Sequence, residues 1–215
     1  MPFRRELSTN LIGTGLTFGL GMANQALLAR GLGDEGRGQL GLIVTSITFG
    51  ALLLGEWLNR GNTFAAGRES DRGRQILANT LVYGAWVGAL LVAVAAVGQR
   101  LWSPLAFGLT PDVYYVVAGI AVATVIYKAG QAIVLGEDRL HLYAFLPVVL
   151  IAVWLAGNWF ALRVWSAGVG GVLTAWLVAA VVALGATVIP IWKGLGRFDA
   201  ALFSRTSAVG GRGAA

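Results

Sequence analysis

The sequence predicts an all-α membrane protein built as a bundle of six transmembrane helices. Of its 215 residues, 57% are hydrophobic and only 12% are charged, against roughly 25% charged in a typical soluble domain. Five uncharged runs of 18 to 29 residues separate the charges, and a helix needs roughly 20 apolar residues to cross the hydrocarbon core. The runs are continuously apolar rather than alternating, which excludes a transmembrane β-barrel.

Each run, together with one interrupted stretch, predicts a span. The first is a retained helix and not a signal sequence, because its apolar part is too long and lacks a small-residue cleavage site. The fourth contains Lys128, which lies near a predicted interface and can snorkel or face a polar interior. The spans are predicted at residues 9–29, 40–58, 77–98, 113–135, 142–162 and 167–192.

Residues 1–195 therefore form the predicted bundle, and residues 196–215 form a basic segment at the cytoplasmic interface. Phe198, Leu202 and Phe203 are spaced as on one helical face beside Arg197 and Arg205, a pattern typical of an interfacial helix. With the N-terminus inside, 12 of the 16 basic residues fall on the inner side and four on the outer side. The positive-inside rule then predicts that both termini are cytoplasmic.

Polar residues recur on one face of the first, second and fourth spans. Such groups are costly in lipid and usually face a protein interior or a water-filled path. Some polar side chains in membrane helices only form a hydrogen bond to a neighbouring helix. Glu56 and Arg60 are four residues apart, so they either form an ion pair with each other or mark the inner membrane interface. With that alternative open, the predicted cavity residues are Asn24, Gln25, Glu56, Asn59, Arg60, Lys128 and Gln131.

Several chemistries find no support in the sequence. The chain has no cysteine and one histidine, His141 in a predicted loop, so no His-rich metal site is expected. Its aspartates are scattered one per loop, and no phosphate-binding glycine loop occurs. We therefore expect no enzyme activity, no metal and no cofactor. The net charge is +6, but the distribution of the basic residues is explained by the predicted topology. We therefore expect no nucleic-acid partner.

Three segments resemble the N-terminal half of a bacterial polysaccharide-export flippase, of the O-antigen or lipid-linked oligosaccharide type within the MATE-like superfamily. The first is Ala26 to Glu69, with the glycine-rich turn Leu32 to Gly38 between two helices. The second is Ala129 to Val149, where a glycine and a charged loop precede a span. The third is Ala201 to Ala215, similar to the lead into a seventh helix.

The resemblance implies half of a 12–14 helix transporter fold in the bacterial inner membrane, with a second six-helix bundle as partner. It implies that two bundles alternate around a cationic cavity that accepts a lipid-linked saccharide. By position, Arg60 and Lys128 would bind the pyrophosphate. The residues that would contact the sugar hydroxyls are Asn24, Gln25, Asn59 and Gln131. Two alternatives remain: a small-molecule exporter of the same superfamily, which requires acidic residues in the spans, and a closed six-helix scaffold without transport.

Overall fold

The computed structural model describes residues 2–68, 72–101, 111–191 and 198–212, and within these ranges the chain is all-helical. Six of its helices are long and apolar enough to cross a membrane, which confirms the predicted fold class. The helices of the described ranges are α1 (Pro2–Gly31), α2 (Gly33–Arg68), α3 (Gly73–Leu101), α4 (Pro111–Gly136), α5 (Leu140–Arg163), α6 (Gly168–Ile191) and α7 (Ala200–Arg212).

Helix α4 lies at the centre of the bundle, packed against α2, α3 and α6. In its most apolar stretch 56% of the residues are buried, against 17% in α1. Small residues allow this close packing: a methyl group on Gly84 of α3 would lie only 2.5 Å from Ile126 Cδ1 of α4. Gly88 faces Val122 one turn further along, so the small-residue pair in the third span is used within the bundle.

Helix α1 lies at the edge of the bundle and packs mainly against α5. The two approach closely at Gly13, where a methyl group would come within 2.6 Å of the Ala144 carbonyl oxygen. The other small-residue pair, Gly15 and Gly19, has no described atom near either Cβ position. One side of α1 therefore remains open within the described chain.

Two clusters of buried side chains form the core, one toward each end of the bundle. One joins the start of α2 to α4 and α6 through residues such as Ile43, Ile120 and Leu173. The other surrounds the end of α2 and includes Ala66, Ile133 and Leu202. Polar grooves flank the core at both ends, and these are described below.

Helix α2 extends well beyond the predicted span of residues 40–58. It begins at Gly33, whose φ of +66° suits the turn after Leu32, and it runs to Arg68. The predicted loop from Asn59 onward is therefore helical as far as Arg68. The extension is stable because Ala65 and Ala66 are buried and the buried Asn62 amide donates to Thr80 Oγ1 at 2.9 Å. Of the polar residues in the predicted loop, Asn62 thus faces inward, whereas Arg60 and Arg68 remain exposed.

The predicted amphipathic helix near the C-terminus is present as α7, and it packs closely against α2. Its first turn is capped by Asp199, whose carboxylate accepts from the Leu202 amide at 3.0 Å. Asn79 of α3 binds the Asp199 backbone through both its amide nitrogen and its oxygen, each at 3.0 Å. Leu202 is buried in the core, and Arg197 lies outside the described residues.

A polar groove between α2 and α4

A polar groove of about 290 Å³ opens between α2 and α4 and is capped by α5. We call it the α2–α4 groove. Helical spacing of three and four residues places its side chains on the facing sides of the two helices. It contains five of the seven predicted cavity residues, and its described lining consists of Glu56, Asn59, Arg60, Thr63, Lys128, Gln131, Ala132, Leu135 and Tyr143.

The charged side chains in the described lining of this groove comprise one ion pair and one further cation. Arg60 Nε lies 3.2 Å from Glu56 Oε1, with both side chains about half exposed, so these two charges cancel formally. Lys128 on the opposite wall is partly buried, and the ion pairs identified within the described residues do not include it. The groove therefore carries a formal charge of +1, which favours an anionic ligand.

The neutral polar groups of the groove include an unused acceptor. Asn59 Oδ1 is buried and has no hydrogen-bond partner among the described atoms, whereas the Asn59 backbone carbonyl accepts from Thr63 Oγ1 at 3.0 Å. A buried polar atom without a partner is energetically unfavourable. A ligand hydroxyl or amide that enters the groove would supply the missing donor, and Gln131 and Tyr143 add further polar groups beside it.

The other two predicted cavity residues lie elsewhere. Asn24 is 1% exposed, and its Oδ1 accepts from Asn158 Nδ2 of α5 at 2.8 Å, which is the bonding to a neighbouring helix that the sequence left open. Gln25 lines a second groove of about 360 Å³, the α1–α2 groove, beside Asp34 and Arg37 at the start of α2. The two grooves lie near opposite ends of α2.

The polar face predicted for the first span does not line one cavity. Thr17 Oγ1 donates to the Gly13 carbonyl of its own helix at 2.9 Å, and Asn10 is exposed. An apolar environment favours such local bonds, because a threonine can satisfy its hydroxyl without a second helix. Of the three helices predicted to line a cavity, α2 and α4 do so together, and α1 lines only the other groove.

Helix α5 contributes groove residues that the sequence analysis did not single out. Tyr143 closes the α2–α4 groove, and Trp154 lines the α1–α2 groove while stacking on Trp176 at 5.0 Å between ring centroids. Asn158 is completely buried. A single amide in an otherwise apolar span was a signal for this residue, whereas nothing in the sequence distinguished Tyr143 and Trp154 from the other aromatic residues of the spans.

Comparisons with known proteins agree with this architecture. No protein-family profile and no curated protein matches the sequence, but solved structures match it in three dimensions. An outward-facing multidrug resistance MATE family transporter of the MOP superfamily superposes with a TM-score of 0.75 at 18% identity, covering 94% of this chain and 49% of that one. The chain has the fold of half a MATE-type transporter.

Two further structures give the same result. A MOP superfamily transporter from Pyrococcus furiosus, described as having a binding pocket of reverse polarity, superposes with a TM-score of 0.73 at 17% identity, covering 94% of this chain and 49% of that one. A MATE structure in complex with Br-NRF gives 0.72 at 19% identity, covering 96% and 51%. The chain thus spans about half the length of the transporters that it matches, as the sequence resemblance implied.

Proposed function

We propose that the chain is one half of a transporter that moves a lipid-linked oligosaccharide outward across the bacterial cytoplasmic membrane by alternating access. The observation that supports this most directly is the α2–α4 groove, where Arg60 and Lys128 lie beside Asn59 and Gln131. Two cations and two amides in one groove suit a ligand that joins a diphosphate to a sugar. The half-transporter fold supports the transport step.

The diphosphate would bind by exchange with Glu56. Arg60 is held by that carboxylate at 3.2 Å, and a guanidinium binds phosphate oxygens with the same planar geometry. A diphosphate that bridges Arg60 and Lys128 would release Glu56 toward water, since its side chain is already 44% exposed. Asn59 Oδ1 would then accept a hydrogen bond from a sugar hydroxyl.

The second bundle would complete the pathway. Fold relatives are about twice as long as this chain, and α1 has an open side along Gly15 and Gly19, where another helix can approach closely. With both termini cytoplasmic, the α2–α4 groove faces the cytoplasmic leaflet, where a lipid-linked sugar would be loaded. Membrane lipid covers the remaining apolar faces.

A small-molecule exporter is the second candidate, favoured by the fold similarity to a multidrug resistance transporter. In that case Glu56 would bind a cationic substrate or a coupling ion. The net formal charge of +1 in the groove, to which Lys128 contributes beside the Glu56–Arg60 pair, argues against this role. The scaffold alternative requires a closed bundle without a cavity, and the open α2–α4 groove argues against it.

Ligand binding by purified protein tests the proposal. We expect Arg60→Ala and Lys128→Ala to weaken binding of a short-chain polyprenyl diphosphate by about 10- to 100-fold each, because each removes a charged hydrogen bond of about 1.5–3 kcal/mol. Native mass spectrometry or fluorescence titration would measure the affinity. Arg163→Ala, which removes an exposed arginine at the end of α5, is the matched control and should bind normally.

Glu56→Gln separates the two candidates. For an anionic ligand, this change removes the carboxylate that competes for Arg60 and should leave the affinity equal or higher. For a cationic substrate, it removes the binding carboxylate and should abolish binding. Unchanged affinity for the polyprenyl diphosphate in both Arg60→Ala and Lys128→Ala would refute the proposed ligand site.

A further inference from the structure

A second basic groove, separate from the proposed ligand site, lies between the end of α2 and α7. We call it the α2–α7 groove. Its volume is about 400 Å³, and it lies at the end of the bundle where the basic residues are concentrated. The described residues that line it are Phe64, Ala65, Arg68, Leu202, Arg205, Thr206, Ala208 and Val209.

The walls of this groove are fixed in position. A methyl group on Gly61 of α2 would overlap the Thr206 carbonyl, and one on Gly210 of α7 would overlap the Trp57 carbonyl. The backbones of the two helices are therefore in direct contact at both glycines. Asn79 holds the start of α7 through its two hydrogen bonds to Asp199. Both walls of the groove are therefore anchored to the rest of the bundle by direct contacts.

The groove combines positive charge with exposed apolar surface. The guanidinium carbon of Arg68 lies 4.4 Å from the centroid of the Phe64 ring, which holds the cation over the aromatic face. Arg205 enters from α7, and none of the described lining residues is acidic. Phe64 and Val209 remain 42% and 38% exposed. An amphiphile with an anionic head and an apolar chain matches both properties.

We propose that the α2–α7 groove binds an anionic phospholipid of the surrounding leaflet, with the phosphate between Arg68 and Arg205 and an acyl chain along Phe64 and Val209. Amphipathic basic helices bind anionic leaflets through this combination of buried apolar area and electrostatic attraction. A free phosphate ion would use only the arginines, whose exposed charges are screened by salt. The proposal does not depend on which substrate is transported.

Lipid-dependent stability of the purified full chain tests this site. Phosphatidylglycerol, added to the protein in neutral detergent, should raise its thermal unfolding midpoint more than phosphatidylcholine with the same acyl chains. In Arg68→Gln/Arg205→Gln we expect half-saturation to require at least about ten times more phosphatidylglycerol, because each arginine near the surface contributes a factor of about five. Arg163→Gln is the matched control and should keep the normal response.

Additional variants and a phosphate control distinguish loss of lipid binding from misfolding and a lipid from a free anion. Arg68→Lys/Arg205→Lys retains the charge and should retain most of the response, whereas a folded double glutamine variant with a normal response would overturn the proposal. An equal shift caused by inorganic phosphate would also overturn it, because the site would then bind a free anion. The double glutamine variant should still bind the polyprenyl diphosphate, so failure of either site is distinguishable from failure of the other.

Discussion

Asn62 lies where α2, α3 and α4 meet, and its amide links all three helices. It is 1% exposed and donates to Thr80 Oγ1 at 2.9 Å and, at 3.5 Å, to the Ala129 carbonyl oxygen. We expect Asn62→Leu to lower the free energy of unfolding by about 1 kcal/mol, the usual size of an interhelical hydrogen bond in a membrane protein. Denaturation of the purified protein by sodium dodecyl sulfate would measure it.

The control for this residue is Asn10→Leu, which changes an exposed asparagine of α1 and should leave the free energy of unfolding nearly unchanged. Equal destabilisation by both changes would contradict a role for the Asn62 network.

Residue chemistry was partly predictable, since inward-facing amides stand out in apolar helices. Which amide lines a groove and which pairs with another helix was not, because that depends on the neighbours of Asn24 and Asn59 across the bundle.

Helix α7 is bound to the bundle through glycine contacts that predict a sharp difference between adjacent positions. Gly210 faces the Trp57 carbonyl, whereas Gly211 has open space at its Cβ position. We expect Gly210→Ala to displace α7, since overpacking costs about 1–3 kcal/mol, and Gly211→Ala to have no such effect. The chain has no cysteine, so a Leu202→Cys reporter in each background can measure the change by maleimide labelling.

The buried Leu202 position should become labelled at least about tenfold faster in the Gly210→Ala background. Equal labelling rates in the two backgrounds would show that α7 is not held at this point.

The sequence predicted α7 from its amphipathic spacing. It did not predict the docking of α7, which depends on one glycine from each of two helices that are distant in sequence. The length of α2 was also missed, because polar residues that bond inside the bundle resemble those of a loop.

For the whole molecule, the charge distribution predicts which end of the bundle faces the cytoplasm. Ser166, between α5 and α6, and Ser204 of α7 are both exposed and lie toward opposite predicted sides. In intact cells, a membrane-impermeant maleimide should label Ser166→Cys and not Ser204→Cys, whereas permeabilised cells should show labelling of both. Labelling of Ser204→Cys alone in intact cells would reverse the proposed orientation.

The architecture was predictable at this scale because composition and span lengths indicated a bundle of six transmembrane helices, and the resemblance implied one half of a larger transporter fold. The groove between α2 and α4 was only partly predictable. Helical periodicity places Glu56 beside Arg60 and Lys128 beside Gln131, but the pairing of α2 with α4, rather than with α1, depends on tertiary packing. Tyr143 completes the groove from a helix whose sequence is almost uniformly apolar.

Helix α2 has 36 residues, which corresponds to about 54 Å at 1.5 Å per residue. Arg37 of this helix lines the α1–α2 groove and Arg60 lines the α2–α4 groove, and their separation of 23 positions corresponds to about 35 Å. That distance is close to the roughly 30 Å thickness of a hydrocarbon core. A bilayer of longer acyl chains would place one or both of these arginine positions in hydrocarbon, so the spacing along α2 favours a bilayer of about this thickness.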